Sequence, residues 1–201
     1  MVASQNSQGR DIVNLIKKIF TSVALGVGAL TITATAATAS VSQGDIIYSD
    51  DTQCTIGYVD GHAAYSAAHC ARNGAIARDH AGNHVGVWRH EGDPSSPHTD
   101  IARIDLYQHS GGNGYSGNKK APDWALLPGS SVCKQGVTTG VTCGVIVARN
   151  GNTVHTVGAV PYPGDSGGPA WVPGQGYIGV ATLNWTWDGG YLPDSGVYTR
   201  H

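Results

Sequence analysis

From Asp45 onward, short apolar segments alternate with turn residues, which is the pattern of β-strands rather than helices. After the first 40 residues, no amphipathic helix of ordinary length is visible. The predicted strands are residues 46–48, 54–59, 62–66, 84–88, 101–106, 143–148, 153–160, 177–183 and 196–199. Asp60-Gly61 and Asn150-Gly151 between neighbouring strands predict hairpin turns. The pattern therefore predicts an all-β protein.

A composition break divides the strands into two comparable halves. Residues 110–118 are rich in Gly, Ser and Asn, which predicts a segment too flexible for a core strand. We expect two antiparallel β-barrels packed side by side with a cleft between them, over residues 40–117 and 118–201.

The N-terminal region has the layout of a secretion signal. Lys17 and Lys18 precede an apolar run over residues 19–30, and small residues follow up to Ala39. We expect cleavage of residues 1–39 and an extracellular protein of bacterial type. A permanent anchor is the less favoured alternative, because a span needs about 20 clean apolar residues. The long polar lead over residues 1–10 leaves an internal translation start open.

Composition narrows the class of partner. The chain of 201 residues has 29 glycines and 13% charged residues, and its formal net charge of −2 gives no indication of a nucleic-acid partner. We expect a monomer.

Four cysteines follow the predicted signal. An even count in an exported chain predicts two disulfides, although four cysteines allow three pairings. We favour the local pairs Cys54–Cys70 and Cys133–Cys143. The alternative is a zinc site with nearby histidines, which the lack of a Cys-x-x-Cys motif disfavours.

Residues 161–169 contain Gly-Asp-Ser-Gly-Gly-Pro, which places Ser166 among glycines. A serine hydroxyl that attacks a carbonyl needs a base, and glycines permit the backbone angles that aim N–H groups at one point. The N–H groups of Gly164 and Ser166 are the candidates for stabilising an oxyanion. The alternative is a glycine-rich turn between two strands.

Two further motifs supply candidate partners for Ser166. His69 lies in Ala-Ala-His-Cys, where a rigidly held imidazole is suited to take and return a proton. Asp100 precedes Ile-Ala in residues 98–104 and would orient the imidazole. Asp105 is the rival carboxylate, but it lies inside the alternating strand.

The three motifs resemble those of the chymotrypsin-like (trypsin-fold) serine peptidases, and their order, His69, Asp100, Ser166, is the order in that family. The resemblance implies two barrels of the six-stranded type and a serine endopeptidase acting on polypeptides. The catalytic residues would straddle the cleft, and the chemistry needs no metal or organic cofactor.

Residues 132–144 resemble a disulfide loop of the bacterial α-lytic protease and streptogrisin group. That resemblance implies that Lys134 pairs with Asp165 and shapes the oxyanion loop. In the animal branch of the family, a new N-terminal amine has this role. The alternative is a solvated lysine on a turn.

By the same resemblance, Val160 and Tyr162 would border the specificity pocket, and Thr182, Leu183 and Asn184 would carry the substrate backbone. Relatives often have Ser-Trp-Gly at the last three positions. Apolar Val160 disfavours cleavage after Lys or Arg, although Asp188 or Asp194 could reach the pocket. We expect a small or medium apolar residue on the acyl side.

Two rival functions stay open. A non-catalytic binding or adhesion module of the same fold would usually lack one of the three residues. A metal-dependent hydrolase could use His80 and His84, which have helical spacing, but Gly82 and the strand after it argue against a helix. Relatives also continue past the position of His201, so we expect either a fragment or a trimmed second barrel.

Overall fold

The computed structural model describes residues 40–183 and 195–201. Thirteen strands form the framework of the described part. They are Ile46–Ser49 (β1), Thr52–Thr55 (β2), Tyr58–Asp60 (β3), Ala63–Ser66 (β4), Ile76–Arg78 (β5), His84–His90 (β6), Ala102–Leu106 (β7), Ser131–Gly136 (β8), Gly140–Asn150 (β9), Thr153–Val157 (β10), Pro169–Val172 (β11), Gly176–Leu183 (β12) and Ser195–Thr199 (β13). Two 3₁₀ helices, Ala68–Cys70 and Asp123–Leu126, complete the regular structure of these residues.

The first seven strands form one antiparallel sheet in the order β2-β1-β5-β6-β7-β4-β3. Its inner face is apolar, with Ile47, Trp88 and Ile104 fully buried. The two end strands, β2 and β3, follow each other in the chain and are joined by Ile56 and Gly57. The sheet therefore curls so that the chain crosses from one edge directly to the other.

The last six strands form a closed barrel in the order β10-β13-β12-β11-β8-β9. Val132, Val154 and Tyr198 are fully buried within it. The hairpin between β9 and β10 turns at Gly151, whose φ of 57° is readily adopted by glycine. In the described residues, no helix is both long and apolar enough to cross a membrane.

The all-β prediction and the two-barrel architecture are confirmed, with one difference in the first half. The predicted strand over residues 54–59 is two strands, because the N–H groups of Ile56 and Gly57 bond to Asp45 and Tyr65 rather than continuing one ladder. The first half is thus a curled seven-stranded sheet, and only the second half is a closed six-stranded barrel.

An aromatic cluster joins the sheet to the barrel. Tyr65 of β4 stacks on the ring of His201 with centroids 4.4 Å apart, and Tyr58 lies 4.8 Å from Tyr177 of β12. Lys120 donates a hydrogen bond to the carbonyl oxygen of His201 at 2.6 Å. Burial, with a smaller contribution from the Lys120 charge, lowers the pKa of His201 to about 4. This imidazole is therefore neutral throughout the physiological pH range.

The cluster predicts a loss of stability in acid. Because the folded-state pKa of His201 lies below its ordinary value, the unfolded chain takes up the extra proton first as the pH falls from about 6.5 towards 4. The free energy of unfolding should fall in this window by an amount on the order of 1–3 kcal/mol. Urea titrations at pH 7 and pH 4.5 measure it, with H201F as the comparison. Equal pH dependence in the two proteins would contradict the assignment.

Candidate active site

The backbone around Ser166 depends on glycine at two positions. Gly164 and Gly167 have φ values of 96° and 82°, in the region that side chains disfavour. A Cβ on Gly164 would lie 2.4 Å from Thr138 Oγ1, and one on Gly167 would lie 1.9 Å from Ser66 Oγ. The loop is therefore packed tightly on both sides, and Ser166 is held in one backbone geometry.

The loop of Ser166 lies directly against the first sheet. Thr55 donates its N–H to the carbonyl oxygen of Ser166 at 2.8 Å, and Cys70 Sγ is 3.9 Å from the same oxygen. On the barrel side, the Gly167 N–H bonds to Ala181 O at 2.6 Å. The structure thus brings Ser166 beside Cys70, the residue that follows His69.

His69 is positioned by a short helix and a disulfide. It lies in Ala68–Cys70, and Cys70 is bonded to Cys54 of β2. Its side chain is 32% exposed, whereas that of Asp100 is only 3% exposed. Asp100 Oδ1 accepts the His69 N–H at 2.9 Å, and Oδ2 lies 2.6 Å from Nδ1.

The two contacts with Asp100 determine the state of the imidazole. A carboxylate can only accept hydrogen bonds, so Nδ1 carries the proton and Nε2 of a neutral ring is an acceptor. The same aspartate holds the backbone and the ring of His69. This arrangement is suited to orient a general base.

The alternative acid and the alternative metal pair lie elsewhere. Asp105 is on β7 at the surface, where it pairs with Arg89 and Arg103. His80 lies in a turn and His84 begins β6, so the helical spacing that would bring them together is not present. Within the described residues, neither Asp105 nor the two histidines form a hydrogen bond with Asp100, whose partner is His69.

The N–H groups of Gly164 and Ser166 are available as donors. No residue in ranges 40–183 and 195–201 accepts a hydrogen bond from either group. The neighbouring groups are fixed, since Asp165 N–H bonds to Tyr162 O and Gly168 N–H to Asp165 O, both at 2.8 Å. Such a turn with free donors matches the requirement for binding an oxyanion.

Asp165, next to Ser166, is anchored by a buried ion pair. Lys134 Nζ lies 3.0 Å from Asp165 Oδ2, and both side chains have zero exposure. Asp165 also accepts from Thr138 N at 2.8 Å, Thr139 N at 3.1 Å, Thr139 Oγ1 at 2.5 Å and Tyr162 N at 3.0 Å. Burial alone raises the pKa of Asp165, but the hydrogen bonds from Thr139, Tyr162 and Lys134 outweigh it and hold the pKa below its ordinary value.

Sequence reasoning missed Thr139. Its hydroxyl bridges the pair by accepting from Lys134 Nζ and donating to Asp165 Oδ2. A threonine in the turn before Gly140 has no special signature. Only the fold brings β8 and the loop of Ser166 together.

The predicted substrate-binding residues are spread over two segments. Val160 is half-buried and Tyr162 is 50% exposed. Thr182 is buried and directs Oγ1 to the carbonyl of Val197 at 3.2 Å, while Leu183 ends β12. Asn184, Asp188 and Asp194 lie outside the described residues.

A cavity of about 450 Å³ adjoins His69 on the side of the first sheet. Asp50, Arg72 and His90 are among its lining residues, and Arg72 pairs with Asp50 at 3.0 Å. Asp50 has a φ of 49°, so it adopts a left-handed turn geometry beside the cavity.

Both cysteine pairs favoured above are present as disulfides, Cys54–Cys70 and Cys133–Cys143. The single group of described residues spaced like metal ligands is Cys54, His69 and Cys70. Its two sulfurs are bonded to each other, so they are not thiolate ligands.

The fold matches solved bacterial serine proteases. Thermobifida fusca protease A aligns with a TM-score of 0.60 and 22% identity over 81% of this chain and 92% of its own. Nocardiopsis protease aligns with a TM-score of 0.59 and 23% identity over 81% of this chain and 93% of its own. Cellulomonas bogoriensis chymotrypsin aligns with a TM-score of 0.57 and 26% identity over 81% of this chain and 91% of its own. The protein has the trypsin-fold architecture of the bacterial chymotrypsin-like serine proteases.

Sequence relatives identify a narrower group. The uncharacterized proteins MT1863 and Rv1815 of Mycobacterium tuberculosis are each 32% identical over 89% of this chain and 89% of their own length. The chain therefore belongs to the family of these mycobacterial proteins. No family model matches it.

The buried ion pair predicts a large effect of removing Lys134. In K134M, the Asp165 carboxylate loses its counter-ion at zero exposure, which should lower the free energy of unfolding by about 3–5 kcal/mol. The double variant K134M/D165N should lose less free energy of unfolding, because the Asp165 charge is removed together with its counter-ion. Urea denaturation measures the stability of both variants.

K119M, which removes an exposed lysine, is the matched control, and its free energy of unfolding should stay within about 0.5 kcal/mol of the parent. A single variant as stable as the parent would contradict the role of the pair.

Proposed function

We propose that the protein is a secreted serine endopeptidase that hydrolyses peptide bonds through an acyl-enzyme. The observation that carries the proposal is the double contact of the buried Asp100 carboxylate with the backbone and ring of His69, beside the loop of Ser166. A histidine oriented in this way next to a glycine-framed serine has the parts needed for nucleophilic catalysis.

In the first step, Ser166 Oγ attacks the carbonyl carbon while His69 Nε2 takes its proton. Asp100 stays ionised and stabilises the imidazolium through Nδ1–H. The developing negative oxygen receives hydrogen bonds from the N–H groups of Gly164 and Ser166. Collapse of the tetrahedral species breaks the peptide bond, and His69 donates its proton to the leaving amine.

In the second step, His69 takes a proton from water, and the resulting hydroxide attacks the ester carbonyl on Ser166. The same two N–H groups stabilise the second oxyanion. Breakdown releases the acid product and returns the proton from His69 to Ser166 Oγ.

The Lys134–Asp165 pair supports the proposal by keeping the oxyanion loop in its working shape. Five hydrogen bonds converge on Asp165, so the residue before Ser166 has little freedom to move. The pair lies within the barrel, so a new N-terminal amine is not required for it.

Export supports the same function. The predicted signal over residues 1–39 and the two disulfides suit an extracellular enzyme. The two catalytic segments would then come from proposed domains over residues 40–117 and 118–201.

For substrate choice, we retain a small or medium apolar residue on the acyl side, because Val160 is apolar. The leaving-group side would lie over the cavity beside His69, where Asp50 and Arg72 face the solvent. Cleavage of a peptide library by the mature protein tests the preference on the acyl side and on the leaving-group side. Cleavage confined to positions after Lys or Arg would contradict the apolar preference on the acyl side.

A peptidase-fold binding module is the second candidate. It is disfavoured because Ser166, His69 and Asp100 are all present with their supporting contacts. A fluorophosphonate probe distinguishes the two, since only an activated serine reacts with it.

The catalytic proposal predicts that the probe labels the parent protein and not S166A. Turnover of an unfolded protein substrate should fall by roughly 10³–10⁶ in S166A and H69A, and by about 10⁴ in D100N, because D100N favours the wrong imidazole tautomer. D105N changes a surface carboxylate and serves as the matched control with parent activity. Probe labelling that persists in S166A, or its absence from the folded parent, would refute the assignment.

A further inference from the structure

The glycine-rich segment between the two halves is held rigidly by buried amides, although its composition predicts flexibility. Gln43 is only 4% exposed. Its Oε1 accepts the N–H groups of Tyr115 and Ser116, each at 3.0 Å. Its Nε2 donates to Gly57 O at 2.9 Å and to Ser116 Oγ at 2.7 Å. Gln43 therefore fixes the middle of the segment.

Asn113 ties the same segment to β3 and to its own last residue, Asn118. It is 8% exposed, accepts the N–H of Val59 at 2.9 Å and donates to the Val59 carbonyl at 2.8 Å. It also donates to Asn118 Oδ1 at 3.0 Å. Tyr58 adds a hydrogen bond to the Asn118 carbonyl at 2.9 Å. The segment is thus a preorganised surface element.

This segment forms one wall of a surface groove of about 550 Å³, which falls within the range of ligand pockets. The turn between β11 and β12 forms the other wall. The residues of the groove that carry recognisable side-chain chemistry are Tyr115, Asn118, Lys119, Trp171 and Gln175. The catalytic residues are not among its lining residues.

Two aromatic rings give the groove an apolar surface. Tyr115 is 42% exposed, and its ring centroid lies 5.6 Å from that of Trp171 with a tilt of 32°. The Tyr115 ring sits on Gly44, where a Cβ would lie 2.4 Å from it. Trp171 is half-buried on β11. The Tyr115 ring is therefore backed by Gly44, and the Trp171 ring is partly enclosed.

Lys119 adds a positive charge that no described acidic residue neutralises. Its backbone is fixed, because Tyr177 donates to the Lys119 carbonyl at 2.8 Å and Gly176 approaches too closely for a Cβ. The neighbouring Lys120 donates to His201 O, and Lys134 pairs with Asp165. Lys119 differs in that it lines the groove and forms no ion pair within the described part of the chain.

We propose that this groove binds a carboxylate-bearing oligosaccharide. A pyranose ring has an apolar C–H face that stacks on aromatic rings and a rim of hydroxyls. Trp171 and Tyr115 provide the stacking surface, while the side-chain amides of Asn118 and Gln175 bond to hydroxyls. Lys119 pairs with the carboxylate. This is a binding site beyond the proposed peptidase activity, and it does not depend on that activity.

The spacing of the two rings favours a sugar stacked on a ring face over a proline-rich peptide inserted between the rings. A pyrrolidine ring inserted between two aromatic rings needs a separation of about 7 Å, twice the contact distance of carbon atoms. The observed 5.6 Å leaves no such slot, so a ligand ring stacks on an outer face of the aromatic pair rather than between its members. An added peptide strand is also disfavoured, because β11 and β12 each pair on both sides within the closed barrel.

The test is calorimetric titration of the full chain carrying S166A, which prevents self-cleavage. The probes are tetragalacturonate and a hyaluronan hexasaccharide, with cellotetraose as the neutral comparison, all at up to millimolar concentration. We expect at least one acidic probe to bind more tightly than cellotetraose and to weaken with added salt. Because the readout is affinity, the result is independent of whether Ser166 is catalytic.

Variants separate the contributions. W171A should weaken binding of every saccharide by about tenfold or more. K119Q should abolish the preference for acidic probes, while K119R retains it. W124A removes a tryptophan that is 65% exposed outside the groove and should bind as the parent does. If W171A does not fold by circular dichroism, Y115A replaces it with the same expectation.

Three results would overturn the proposal. The first is a folded parent that binds neither acidic probe. The second is unchanged affinity in the folded W171A or Y115A variant. The third is an acidic proline-rich peptide that binds in a Trp171-dependent manner while the saccharides do not, which would assign the groove to peptides.

Discussion

The structure depends on a close approach of backbone to backbone where the first sheet meets the loop of Ser166. A Cβ on Gly57 would lie 2.3 Å from the carbonyl oxygen of Gly167. On the barrel side, a Cβ on Gly136 of β8 would lie 2.1 Å from the Asp165 carboxyl group. Only glycine permits these contacts without displacing the loop. Through them, Thr55 reaches the Ser166 carbonyl and the disulfide of Cys70 comes to lie beside the serine. The placement of Ser166 next to the segment that carries His69 follows from this packing.

The ion pair of Lys134 and Asp165 supports that packing from within the barrel. Two unpaired charges at zero exposure would each cost several kcal/mol, and the mutual attraction offsets this only when the remaining donors and acceptors are also satisfied. Thr139 meets that condition by hydrogen bonding to both partners. The pair therefore fixes one geometry of the loop, because a displaced Asp165 would lose several hydrogen bonds at once.

Local patterns in the sequence were sufficient for the strands and hairpins, and the contacts between distant segments were not visible in them. The alternation of residues predicted most strands, and both Asx-Gly pairs mark hairpins, with Gly61 and Gly151 at φ values of 58° and 57°. Strands β5, β8 and β11 were missed, because β5 has only three residues, β8 carries a buried lysine and β11 begins at Pro169. The rigidity of residues 110–118 also escaped, since its cause is Gln43, some seventy residues earlier in the chain. Composition indicates the flexibility of an isolated segment, whereas the hydrogen bonds of the buried amides of Gln43 and Asn113 make this segment rigid.

The placement of charge bears on whether the site is catalytic. Asp100 and Asp165 are both almost fully buried; Asp165 directly precedes Ser166, and Asp100 contacts the backbone and ring of His69. Apolar residues of similar volume would stabilise a purely structural interface at least as well, since buried charges seldom contribute net stability. Buried carboxylates that adjoin a solvent-accessible histidine and a partly buried serine are instead typical of reactive sites, where they orient a base and shape an oxyanion turn. The same reasoning separates this site from the groove of Tyr115 and Trp171. There, Lys119 is exposed and has no ion pair with any residue in 40–183 or 195–201, as suits recognition of a ligand rather than chemistry on it.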